Sequence, residues 1–264
     1  MSLSIITLIY NDPDKTWLTI KYSESVDNSE WIFVNCGDEV PGWLRGIFPS
    51  NAFMIACPYK NIYDAMGYGA RIAKKDYLYW LNSGDVLLDG KAVENALKHK
   101  VDGIYGAGCS FQVAAARKAL IFRYPRFVRK LPCPVTLQCI EHTGFHHQGF
   151  IINRQIYNNF GGFRAVGIGA DFDLMLRCFN DMNFSRYITD DQFFAFSEHG
   201  LSSRKNLAFI VSRMKVYKFN GYNRLFAVIY HWRVFSKRVI KIFFPYRLWN
   251  ILSSARRPIV NRNL

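Results

Sequence analysis

The chain of 264 residues lacks any apolar run long enough to cross a membrane. Stretches such as residues 225–232 reach about eight to ten residues, against the roughly 20 that a spanning helix needs. It also lacks the opening of a secretory signal. No basic residue precedes the apolar residues 3–10, and Asn11-Asp12-Pro13-Asp14 follows them at once. The chain is therefore expected to stay in the cytoplasm. Paired cysteines are missing too. Cys36, Cys57, Cys109, Cys133, Cys139 and Cys178 are scattered, which excludes a dense disulfide framework and fits a reducing compartment. Cys133, Cys139, His142, His146 and His147 lie close together, yet without the paired CxxC of a zinc knuckle. These cysteines are expected to be ordinary small buried residues. Finally, acids are absent from the end of the chain. After residue 200 there are fourteen Lys and Arg and no Asp or Glu. The first 200 residues hold the other twenty basic residues and all twenty acids, so the whole +14 formal charge sits in the last quarter. A neutral globular part carrying a basic tail is expected, and such a tail seeks an anionic surface.

What is present is an alternation. Short apolar runs at residues 4–10 (SIITLIY), 31–35 (WIFVN), 51–56, 76–81 (DYLYWL) and 101–105 predict buried strands. Residues 15–25, 62–73 and 92–100 predict helices between them. Further on, 146–152 and 193–196 read as strands, and 153–160 and 171–179 as helices. Strands alternating with helices predict an α/β fold with a mostly parallel sheet flanked by helices. In such sheets ligands bind beyond the carboxyl ends of the strands. The polar clusters at Asn11-Asp12, 35–38 and 82–85 all follow predicted strands at those ends. Residues 207–219 and 224–244 predict two tail helices, the second stopped by Pro245. In the second, Leu225, Ile229, Trp232, Phe235, Val239 and Ile242 form an apolar stripe, with Arg233, Lys237, Arg238 and Lys241 largely away from it. That pattern suits a helix lying in a headgroup interface.

Residues 61–85 (NIYDAMGYGARIAKKDYLYWLNSGD) resemble the donor-site core of family 2 glycosyltransferases, in which members that build bacterial surface polysaccharides commonly read iYdAmNkGi..A.GdYi.fLNsgD. Residues 146–177 (HHQGFIINRQIYNNFGGFRAVGIGADFDLMLR) resemble that family's acceptor half, with the pattern hHqs.f.r...y...G.fd......Dydl.lR. Residues 196–203 (FSEHGLSS) are similar to its f..GGiS. The resemblance covers residues 1–203, leaving 204–264 as a basic helical extension. It implies a GT-A (Rossmann-like) fold.

The resemblance also implies roles. Asp85 is the expected ligand of Mn²⁺ or Mg²⁺ on the donor diphosphate, because carboxylate oxygens suit hard cations. Asn82 stands where the family has the first acid of this loop, and Gly84 where another often stands. His199, in a late loop, is a second metal candidate, with Arg204 near it as a diphosphate clamp. Asn82 and Ser83 face the donor. Asp64 holds the nucleoside or orients Arg71. Asn35 or Asp38 takes the place of the acid on the base, and Thr7 and Tyr10 line the nucleoside pocket. Asp171 is the expected catalytic base, preferred over Asp173 because residues i and i+2 do not share a helix face. His146, His147 and Gln148 lie beneath the acceptor. Arg177 is read as pairing with a neighbouring carboxylate.

The function implied is transfer of a sugar from a UDP- or GDP-linked donor to a saccharide or polyprenyl-linked acceptor. The context is surface-polysaccharide synthesis of the O-antigen or capsule kind, with inversion, on the inner face of the cell membrane. The basic tail would dock there on anionic lipid, and no nucleic acid partner is expected. Two other readings stay open. A nucleotidyltransferase would favour a Gly-rich basic loop after the first strand, which Asn11-Asp12-Pro13-Asp14 is not. A nucleic-acid- or membrane-binding protein on a catalytically degenerate transferase fold would fit Asn82 and Gly84.

Overall fold

The computed structural model describes residues 1–59, 61–114, 119–121, 146–197 and 207–221. Its first half alternates as expected: β1 (Leu3–Ile9), α1 (Pro13–Tyr22), β2 (Ser29–Asn35), α2 (Gly42–Arg45), β3 (Ala52–Ala56), α3 (Ile62–Ile72) and β4 (Tyr77–Trp80). Then come β5 (Val86–Leu87), α4 (Gly90–Leu97), β6 (Gly103–Ala114) and β7 (Ala119–Ile121). A 3-10 turn at His147–Gly149 leads into β8 (Phe150–Asn153), α5 (Arg154–Asn159), α6 (Ala170–Asn180), β9 (Arg186–Ser197) and α7 (Leu207–Phe219).

Local signals start the helices. Asp12 caps α1 by accepting from the Lys15 N–H at 3.0 Å, and Pro13 occupies the first turn, where its missing N–H is no loss. Asn61 caps α3 through the Tyr63 N–H at 3.0 Å. The apolar spacing of α3 buries Ala65, Met66, Gly69 and Ala70. Gly69 lets the helix lie close on the sheet: a Cβ there would stand 2.6 Å from Ile6 Cγ2 and 3.1 Å from Val34 Cγ2.

The sheet runs β3-β2-β1-β4-β8-β6-β9-β5, with β7 on β6. β3, β2, β1 and β4 are parallel, the arrangement that places the ends of β1, β2 and β4 on one edge. Antiparallel pairing enters where β8 inserts between β4 and β6, while β9 lies parallel to β6. The expected α/β sheet is thus parallel in its first half and mixed in its second. Residues 146–152 form not one strand but a turn followed by β8. Alternate strand residues feed two cores on opposite faces. One joins Ile6, Ile32, Leu78 and Ile152 to Met66, Phe172 and Leu176. The other joins Leu3, Phe33, Tyr79 and Ile151 to Val93 and Leu97 of α4.

The helix α7, read in sequence as part of the tail, packs into the first core. Val216 and Tyr217 are buried there, and the Tyr217 ring meets Phe172 edge-on at 6.1 Å. The Arg213 guanidinium lies 3.6 Å from the centroid of the Phe172 ring. The globular body therefore continues beyond residue 203. The expected second tail helix, residues 224–244, lies outside the described residues. Among the described residues no helix is long and apolar enough to cross a membrane.

Candidate functional site

The three polar clusters interlock at the carboxyl edge of the parallel strands. Asn11 adopts a left-handed backbone (φ 47°), and its Oδ1 accepts from the Asp38 N–H at 2.7 Å. Gly37 makes room for this clasp, because a Cβ there would fall 2.0 Å from Asn11 Oδ1. The third cluster is pinned to α1 and β1. Ser83 Oγ donates to Leu8 O at 2.5 Å and lies 3.1 Å from Thr16 Oγ1. The Gly84 N–H donates to Thr19 Oγ1 at 2.8 Å, and Gly84 itself takes φ 95°, a conformation glycine adopts without strain.

From this loop a chain of hydrogen bonds runs to the first turn of α6. Asn82 Nδ2 lies 2.9 Å from His147 Nε2, and His147 Nδ1 lies 3.0 Å from Asp171 Oδ2. The other carboxylate oxygen, Oδ1, accepts from Tyr63 Oη at 3.0 Å and from the Phe172 N–H at 2.8 Å. Tyr63 Oη in turn accepts from the Gly169 N–H at 2.9 Å. Gly169 has φ 117°, a turn that starts α6 with Asp171 at the sheet edge. The Asp171 side chain is 19% exposed, so a solute reaches it. Burial alone would raise this carboxyl. The hydrogen bond of His147 and its charge on protonation, the Arg213 charge and the Phe172 N–H outweigh that and bring it down to about 2. Burial, then the Asp171 charge, pushes the Tyr63 phenol up, which keeps it a donor to the carboxylate.

Asp173, two residues on, points the other way. It is fully buried, paired with Arg177 at 2.9 Å and Arg164 at 3.7 Å, and accepts from Asn220 Nδ2 at 2.8 Å. Arg177 also donates to the carbonyls of Phe160 and Gly162. This knot fastens α6 to the 160–164 loop and to the end of α7. The pairing read for Arg177 is present.

Beside the chain lies Asp85, buried, with Oδ2 accepting from Gln148 Nε2 at 2.8 Å. Gln148 Oε1 and Tyr79 Oη are buried without a hydrogen-bond partner among the described residues. Burial first, then the Asp85 charge, raises the Tyr79 phenol well above its usual value.

The other expected residues divide. Thr7 does not line a pocket: it is fully buried, donating to Leu81 O at 2.7 Å and accepting from Trp31 Nε1 at 2.8 Å, so it braces the sheet. Tyr10, at the end of β1, is 70% exposed and available for a ring to stack on. Asn35 spends its amide on its own turn, donating to Asp38 O at 2.8 Å and accepting from the Gly37 N–H at 3.2 Å. Asp38 is exposed at the same edge. Asp64 and Arg71 line a cavity of 260 Å³ on the flank of α3, with Tyr59, Tyr63, Gly67 and Tyr157. There Arg71 donates to Tyr59 Oη at 3.1 Å, not to Asp64. His146 turns away from His147 and stacks on Phe196 at 4.2 Å. His199 and Arg204 lie outside the described residues, as do Cys133, Cys139 and His142. Tyr63 was missed in sequence, although the iYd of the quoted pattern contains it.

No family model matches the chain. It is similar to two proteins named uncharacterized glycosyltransferases, from two strains of Mycobacterium tuberculosis. Identity is 28% over 189 residues, 67% of this chain and 68% of each relative. Among solved structures, it resembles S. aureus TarS 1–349 in complex with UDP, with a TM-score of 0.62 and 12% identity. That match covers 94% of this chain and 76% of the other. It also resembles the mannosyltransferase PcManGT from Pyrobaculum calidifontis in complex with GDP-Man and Mn²⁺, with a TM-score of 0.56 and 12% identity. Here the shares are 96% and 79%. Against TarS 1–349 alone the chain spans 64% of the neighbour's length. The fold is that of a glycosyltransferase.

Proposed function

We propose that this glycosyltransferase moves a sugar from a UDP- or GDP-linked donor to a hydroxyl of a saccharide or polyprenyl-linked acceptor, with inversion, in the synthesis of a surface polysaccharide. The observation that carries the reading is the partly exposed Asp171 carboxylate, joined by one imidazole to the loop that follows β4. The structural neighbours in complex with UDP and with GDP-Man support the donor class.

In the reaction the acceptor oxygen attacks the anomeric carbon as the bond from that carbon to the diphosphate oxygen breaks. The nucleoside diphosphate leaves with the electron pair, and Asp171 takes the hydroxyl proton. A carboxyl held near 2 is ionised throughout the neutral range. It is a weak base, but the hydroxyl becomes strongly acidic once its oxygen bonds to the anomeric carbon, so late proton transfer needs no stronger one. Tyr10 and Asp38, exposed at the strand ends, are placed for the nucleoside.

A divalent cation, when bound, would neutralise the charge developing on the departing diphosphate. The residues present fit one. Asp85 supplies a carboxylate, and the unpartnered Gln148 Oε1 lies on the residue bonded to it, an oxygen set that suits Mg²⁺ or Mn²⁺. Among the described residues no three His, Cys, Asp or Glu cluster to hold a metal. Donor phosphates and water would therefore complete the shell. His199 is proposed as a further ligand from the late loop, and Arg204 as a clamp on the donor diphosphate.

The basic tail is proposed to dock the enzyme on anionic lipid, since each basic side chain near such a surface contributes about 1 kcal/mol. Flotation with phosphatidylserine vesicles, compared with neutral ones, checks this. The donor site is tested by calorimetric titration of UDP and GDP with Mn²⁺. Micromolar binding of one supports the reading, and binding of neither contradicts it.

A further inference from the structure

The turn at His147–Gly149 spans the donor loop with two successive side chains. His147 holds Asn82 at one end, and Gln148 holds Asp85 at the other. The same His147 also holds the carboxylate of Asp171. A carboxylate only accepts hydrogen bonds, so Nδ1 of His147 must carry a proton. In the neutral ring Nε2 then presents its lone pair to the Asn82 amide, and both nitrogens are satisfied. Of the roughly four lone-pair sites on the Asp171 carboxylate, Tyr63, the Phe172 N–H and His147 take three. Rotation of the carboxyl is blocked from both sides, and one direction remains for an acceptor hydroxyl. His147 is poorly placed to take that proton itself, because its single lone pair faces Asn82.

We propose that His147 is a positioning residue that serves the donor loop and the general base at once, Nδ1 aiming Asp171 while Nε2 holds the loop through Asn82. The inference rests on the transferase reading above, and it predicts a division of labour between the two ring nitrogens. An asparagine amide nitrogen superimposes on Nδ1, and a glutamine amide on the position of Nε2. His147→Asn therefore keeps the tie to Asp171 and loses the one to Asn82. His147→Gln does the reverse.

The test uses the full chain with Mn²⁺ and a panel of UDP-glucose, UDP-N-acetylglucosamine and GDP-mannose, reading release of UDP or GDP. For whichever donor the wild type turns over, His147→Gln should lower kcat by about 100-fold with little change in donor KM, the scale of a misaimed catalytic group. His147→Asn should keep kcat within about tenfold and raise donor KM by a similar factor, as expected if only loop placement is lost. Equal losses in the two variants, or a Gln variant within threefold of wild type, would overturn the proposal. A loss in the Asn variant as deep as that of Asp171→Asn would also overturn it, by making His147 the proton acceptor.

A second measurement needs neither a stable variant nor turnover. Nitrogen-15 spectra of the wild-type histidines should show His147 as the Nδ1–H tautomer. The Nε2–H tautomer would sink the coupling directly. Failure of the wild type to turn over any donor would count against the transferase reading, leaving the tautomer result to decide the coupling by itself.

Discussion

Replacing Asp173 by alanine should unfold much of what replacing Asp171 leaves intact. Asp173 is fully buried and faces Arg177, whose side chain is 5% exposed, at 2.9 Å. Arg164 stands 3.7 Å away, and Asn220 is tied to the second carboxylate oxygen at 2.8 Å. Alanine would leave the Arg177 guanidinium buried beside the Phe160 and Gly162 carbonyls with no carboxylate, a change that costs roughly 3–5 kcal/mol. That is a large share of the 5–15 kcal/mol that holds a typical domain together. It should lower Tm by roughly 10 °C. Urea unfolding followed by tryptophan fluorescence measures the loss, with circular dichroism as a second probe. The double variant Asp173→Ala/Arg177→Met should recover part of the loss, because it removes the unpaired charge as well. An Asp173→Ala protein within about 1 kcal/mol of wild type but devoid of turnover would refute the assignment, and would move the base from Asp171 to Asp173.

Asp171 makes its own contribution, with a defined pH window. Its folded carboxyl lies at about 2, below its ordinary value of 3.8. The resulting stabilisation, roughly 2 kcal/mol, is fully present above about pH 4 and is lost as pH falls through 2. The stability difference between wild type and Asp171→Asn should therefore shrink over that interval; a difference that grows on acidification would contradict the network. Gly69→Ala should cost about 1–3 kcal/mol by overpacking α3 against Ile6 and Val34, and a Tm at or above wild type would argue against that close approach. Tyr217→Ala should cost about 3 kcal/mol or more, because α7 is part of the core; an unchanged urea midpoint would mean that α7 is a detachable tail.

Much of this arrangement was legible in the sequence because periodicity and punctuation agreed. The polar clusters after β1, β2 and β4 do meet, and the helical offset of two residues correctly separated Asp171 at the edge from Asp173 in the interior. What escaped was whatever depends on contacts distant in sequence. Thr7 looked like a pocket residue, but its hydroxyl is taken up by Trp31 and Leu81, 24 and 74 positions away. The partners of His147, Asn82 and Asp171, lie 65 and 24 positions away, so no local pattern reveals them. The first part of β9 (Arg186–Ser197) was not recognised because Thr189, Asp190, Asp191 and Gln192 break the apolar alternation. Its pairing with β6, not its composition, makes it a strand. The two-residue β5 is too short to carry any period. Arg213, on the helix read as tail, influences Asp171 only because α7 folds back onto α6.

The most direct measurement is transfer from a panel of nucleotide sugars, supplied with Mn²⁺ and a bacterial membrane extract as acceptor, by wild type and Asp171→Asn. The wild type should turn over one UDP- or GDP-linked donor, and the variant should bind that donor as tightly but transfer at least about 1,000-fold more slowly, the scale of losing a general base. Full activity in Asp171→Asn, or no turnover of any donor by a folded wild-type protein, would contradict it.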